Sequence, residues 1–133
     1  MKKLNLFALM LVLALVALVP AASKAQSSQL SPGTICMKDP SAENTTVYFS
    51  TGAAFVFEVY KASKEDVARI ISSIQKDPAV DSITAGTLTG DYQAFSLLLK
   101  STKNKDWFIK TFKNAGLTNI RINRHEVVPV DKM

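Results

Sequence analysis

The chain has 133 residues, 47% of them apolar, with a net charge of +5 and a single cysteine. One cysteine excludes an internal disulfide and, in an oxidising compartment, leaves an unpaired thiol or an intermolecular link. Setting aside Lys2, Lys3 and Lys24 leaves 13 basic against 11 acidic residues, a balance of +2 that makes no case for nucleic acid.

Lys2 and Lys3 precede an almost unbroken apolar run from Leu4 to Val19, followed by Pro20 and the small-residue stretch Ala21-Ala22-Ser23-Lys24-Ala25. This order of charged, apolar and cleavage regions is that of a secretory signal peptide. Cleavage is expected after Ala25, with Ala22 as second choice. The run is shorter than the ~20 residues that span a bilayer, so no membrane span is expected in the mature chain. Residues 1–25 are therefore read as a signal peptide, the protein as exported, and a bacterial periplasm is preferred over general secretion. The remaining 108 residues suffice for one domain with a modest core.

From Gln26 to Thr46 the chain is rich in Ser, Thr, Pro, Asn and Gly and reads as a flexible or loosely docked leader. Within it Asn44-Thr45-Thr46 matches the N-glycosylation acceptor pattern. The folded domain is expected over residues 47–133. Thr46 to Phe49 reads as a short β-prone run, Ser50-Thr51-Gly52 as a turn, and Ala53 to Tyr60 as a strand with Phe55, Phe57 and Val59 on one face. Ser63-Lys64-Glu65-Asp66 opens a helix: Ser63 caps it, Asp66 reaches back, and Val67, Ile70, Ile71 and Ile74 form a buried stripe up to Pro78.

Val80 to Thr87 and Tyr92 to Lys100 pair as a hairpin across Thr89-Gly90-Asp91. Asn104 or Ser101 caps a second helix that carries Trp107, Phe108, Phe112 and Ala115 to the core and stops at Gly116. Leu117 to Val128 supplies the last strand, which Pro129 ends or confines to an edge. The order strand, helix, strand, strand, helix, strand predicts an α+β fold: a ferredoxin-like βαββαβ sandwich, with a four-stranded antiparallel sheet and both helices on one face. The other face is open, and Val56, Glu58, Tyr60, Tyr92 and Leu98 are expected on it, joined by His125 if the last strand has no bulge.

On three passages, the strand FVFEVY, the helix KEDVARIISSIQKDPAVDSI and the closing FIKTFKNAGLTNIRIN, the stretch from Phe55 to Ile122 resembles the heavy-metal-associated, copper-chaperone-like domains. That family holds its metal with Cys-x-x-Cys between the first strand and first helix. The matching loop here, Tyr60-Lys61-Ala62-Ser63-Lys64, has no Cys, His or Met, so the resemblance implies a degenerate member without the metal site. The stretch Gly90 to Phe95 also resembles the aromatic strand of RNA-recognition domains, but it lacks their basic-Gly-aromatic opening, and an exported protein would not meet that substrate.

A Cys36–His125 pair is the one combination available for nucleophilic chemistry, and it would be built from a leader and a strand end, a poor platform for reactive geometry. Glu65, Asp66, Asp77 and Asp81 fall at element ends, where capping and solubility explain them. No catalytic residue, cofactor or nucleic-acid partner is therefore expected. The preferred expectation is a non-catalytic interaction module that binds a protein partner, or a second copy of itself, through the open sheet face. The alternative is a copper or zinc protein with a relocated site at Cys36, Met37 or His125. Charge is uneven: residues 26–99 hold five basic and eight acidic side chains and residues 100–133 eight and three, so one end of the domain is expected to be basic.

Overall fold

The computed structural model describes residues 30–133, with Pro40 and Ser41 described by backbone alone. The expected signal peptide and its expected cleavage positions lie outside the described residues. Among the described residues no helix is long and apolar enough to cross a membrane.

The elements run β1 (Ile35–Met37), α1 (Thr45–Thr51), β2 (Ala54–Tyr60), α2 (Lys64–Gln75), β3 (Val80–Thr89), β4 (Tyr92–Leu99), α3 (Lys105–Asn114), β5 (Asn119–Ile122) and β6 (Val128–Pro129), with 3-10 turns at Pro40–Glu43 and Val130–Lys132. They build an α+β structure of three helices and one mixed sheet of six strands, ordered β3-β4-β2-β1-β5-β6. The expected four-stranded antiparallel sheet is thus corrected. β1 lies between β2 and β5, antiparallel to the first and parallel to the second, and β6 adds an edge to β5.

The leader is likewise corrected where it is described. Ile35, Cys36 and Met37 are all buried, and Ile35 and Met37 belong to the main core. Three apolar residues carry too short a pattern to announce a strand, but bonded on both sides they occupy the middle of the sheet. The run at Thr46 is helical instead of extended. Asn44 Oδ1 accepts from the Val47 amide at 3.2 Å, and α1 drives Phe49 against Phe108, with ring centroids 4.6 Å apart. The β-branched residues Thr45, Thr46 and Val47 favour a strand, and this packing overrides them.

The expected elements between these additions are present. Along β2, Phe55, Phe57 and Val59 are buried and alternate with Val56, Glu58 and Tyr60. At α2 the Ser63 hydroxyl accepts from the Asp66 amide while the Asp66 carboxylate accepts from the Ser63 amide, both at 3.0 Å, a reciprocal cap. Gly90, at φ +59°, makes the β3–β4 turn. Asn104 caps α3 by accepting from the Trp107 amide at 3.0 Å. Trp107 Nε1 then donates to Asp77 Oδ2 at 3.0 Å, and Asp77 Oδ1 accepts from the Ala79 amide at 2.8 Å. One carboxylate thus ties α3 to the α2–β3 turn.

Phe49, Phe57, Phe95, Phe108 and Phe112 are the largest fully buried side chains, packed with Ile70, Ile74 and Leu97. All of these lie between the helices and one sheet face, and each apolar side chain of this size contributes roughly 1.5–3 kcal/mol on burial. The last strand is shorter than expected. β5 ends at Ile122, Asn123 takes the left-handed conformation at φ +53°, and the chain turns before β6. His125 therefore sits in a turn and not on the open face, which corrects its provisional place there.

Candidate binding face and cationic cleft

The strand register decides which side chains share the open face. Tyr60 faces Tyr92, Glu58 faces Ala94, Val56 faces Ser96 and Ala54 faces Leu98. All five expected residues, Val56, Glu58, Tyr60, Tyr92 and Leu98, thus lie opposite the aromatic core. Val56 is 65% exposed and Leu98 43%, and because they are diagonal neighbours on adjacent strands they form one small aliphatic patch. At the other end the Tyr60 and Tyr92 rings lie 5.3 Å apart. Lys38 Nζ lies 5.8 Å from the Tyr92 centroid and 3.6 Å from Glu58 Oε1.

The inserted strand adds features that the sequence reading did not anticipate. Cys36 and Met37 alternate, so Met37 enters the core while Cys36 turns to the helix-free side, between Glu58 of β2 and Arg121 of β5. The two soft donors therefore cannot converge on one ion. Cys36 is nonetheless only 2% exposed. Burial pushes its thiol pKa above the ordinary value, helped by Glu58 and opposed by the charges of Arg121 and Lys38, so at neutral pH it is a protonated thiol with weak nucleophilic and ligand character. Arg121 Nε is buried without a hydrogen-bond partner.

Below Cys36 the β5–β6 turn closes against the 3-10 turn at Pro40–Glu43. Asn123 carries this junction. Its backbone amide donates to the Met37 carbonyl at 2.6 Å, its Oδ1 accepts from the Asp39 amide at 2.9 Å, and its Nδ2 donates to the Asp39 carbonyl and to Glu43 Oε1, each at 3.0 Å. The side-chain amide thereby extends the β1–β5 ladder by one step. His125 Nε2 lies 2.8 Å from Glu43 Oε2, and the hydrogen bonds from His125 and Asn123 hold the Glu43 carboxyl below its usual pKa. Lys38, Glu43, Arg121, Asn123, Arg124 and His125 line an open cleft of about 760 Å³ here.

His125 is thus engaged by Glu43, and among the described residues no group of three His, Cys, Asp or Glu side chains is placed to hold a metal ion. The loop matching the family metal site holds Ser63 as a helix cap and Lys61, whose amide donates to the Asp91 carbonyl at 2.7 Å and whose Nζ lies 5.4 Å from the Tyr60 ring centroid. The one signal for the cleft in the sequence is the basic excess of the last third, and Arg121 and Arg124 deliver it from a strand and its turn. No family model, no curated protein and no solved structure matches the chain, so geometry alone carries the functional reading.

Proposed function

We propose that the protein is an exported, non-catalytic interaction module that binds a protein partner through the helix-free face of its sheet. The observation that carries this reading is the exposed Val56–Leu98 patch. Two branched aliphatic side chains stand side by side on a rigid sheet that no helix covers, with an aromatic pair and the Lys38–Glu58 ion pair toward the other end. An apolar centre with polar and aromatic groups around it is the anatomy of a protein interface. We read the βαββαβ portion as a degenerate, ferredoxin-like relative of the heavy-metal-associated domains, interrupted by β1. In that reading the face remains after the metal loop has lost its thiolates.

A photo-crosslinking residue at position 98, with a second at the exposed Ser72 on α2 as control, tests the proposal in the compartment where the protein resides. A discrete adduct from position 98, absent from position 72 and abolished by Val56→Asp, is the expected outcome. Charge at an exposed site leaves stability within about 0.5 kcal/mol, so loss of the adduct reports the face. Equal labelling from both positions, or an adduct indifferent to Val56→Asp, refutes the assignment.

A further inference from the structure

We propose that the cleft between the end of β1 and the β5–β6 turn is a binding site for a small organic dianion of the phosphate-monoester class. This site is separate from the aliphatic patch and stands or falls independently of it.

The lining holds three permanent cations, Lys38, Arg121 and Arg124, against one carboxylate, Glu43. That carboxylate is already engaged by Asn123 and His125. Lys38 is only loosely held by Glu58, at 3.6 Å, and among the described residues neither Arg121 nor Arg124 forms an ion pair. Arg121 and Arg124 flank the left-handed residue Asn123 and line one cleft, and the repulsion between such like charges is offset by a bound anion. One oxyanion suits this lining, because the planar fork of arginine matches the oxygens of a phosphate in a bidentate way.

Size narrows the class further. A volume of about 760 Å³ is that of a small-molecule site, well beyond what a bare ion fills. A phosphate ester carries close to two negative charges at neutral pH, which suits the cationic lining, and its organic remainder fills the rest. Glu43, fixed on the wall, offers an acceptor to a hydroxyl of that remainder. The cleft is confined to two short stretches, 38–43 and 121–125, so it suits a compact molecule better than a nucleic-acid strand, which needs a continuous basic track.

The test is an amide-resolved NMR titration of the protein with inorganic phosphate, glycerol phosphate and acetate at low salt. Saturable shifts confined to residues 36–43 and 121–126 are expected with both phosphates, glycerol phosphate binding the tighter and acetate at least about tenfold weaker than either. Arg124→Gln, on the exposed turn, is expected to weaken phosphate binding by about tenfold or more. Lys113→Gln removes a basic residue from the end of α3, where it pairs with Asp131 at 3.9 Å, and is expected to leave affinity unchanged. Non-saturating shifts spread over the basic residues, equal binding of acetate, or equal weakening by the two variants overturns the proposal.

Discussion

Replacing Asn123 separates two contributions that the structure combines at one residue. Asn123→Ala removes both hydrogen bonds between the side-chain amide and the Asp39 backbone, at 2.9 and 3.0 Å, and the exposed one to Glu43. The two partly buried bonds contribute about 1 kcal/mol each. Alanine must also adopt φ +53°, a left-handed conformation that costs an L-residue roughly 1–2 kcal/mol. The expected loss is therefore about 3–4 kcal/mol. Asn123→Gly loses the same bonds but tolerates the backbone, with an entropic cost of about 0.5–1 kcal/mol, for a loss of about 2.5–3 kcal/mol.

At roughly 4–8 °C per kcal/mol for a domain of this size, alanine is expected to lower the melting temperature by about 15–25 °C. Glycine should sit about 5 °C above alanine. Thermal unfolding followed by near-ultraviolet circular dichroism measures both. If glycine melts at or below alanine, the left-handed backbone carries no cost. A drop smaller than about 3 °C in both variants would show that the amide bridge does not hold β1 to the β5–β6 turn.

The acid limb of the stability profile should depend on Glu43. Hydrogen bonds from His125 and then Asn123 depress its pKa below the ordinary 4.5, so its contribution is fully present above that value and is lost as pH falls through the lower, folded value. Urea midpoints on either side of this window should fall further for the parent than for Glu43→Gln, and an equal fall would remove Glu43 from the account. Cys36 should be nearly inert in the folded protein. With 2% exposure and a pKa raised above 9.0, its alkylation by iodoacetamide at mildly alkaline pH is expected to be at least about 100-fold slower than in denaturant. Rapid labelling of the native protein would contradict the placement of β1.

Local patterns announced the middle of the fold because each was complete within a few residues. Ser63 and Asp66 sit three apart, Ile70 and Ile74 four apart, and Phe55, Phe57 and Val59 alternate, so cap, stripe and strand are visible without knowing what they touch. β1 has no such self-contained signature. Its three residues are stabilised by partners at Glu58 and Arg121, and no window around Cys36 contains either. The same limit hid α1, whose helical state depends on Phe49 meeting Phe55 and Phe108. The five open-face residues followed from alternation, which the β2–β4 register repeats. The cleft is assembled from two stretches far apart in the chain, 38–43 and 121–125, and only its net basicity showed in the sequence.

A strand supplied near one terminus but seated mid-sheet also orders events in time. Ile35 pairs with Val59 soon after both are synthesised, yet its parallel partner Ile120 follows only much later in the chain. That half of the sheet is a high-contact-order seam, closed only after the chain has been made through Ile120, and such late, parallel closure is slow. Until then an exposed edge of β1 invites strangers, so the nascent chain is the form most dependent on a holding chaperone. Deleting residues 119–133, which carry β5 and β6, should leave a molecule that collapses but stays sticky.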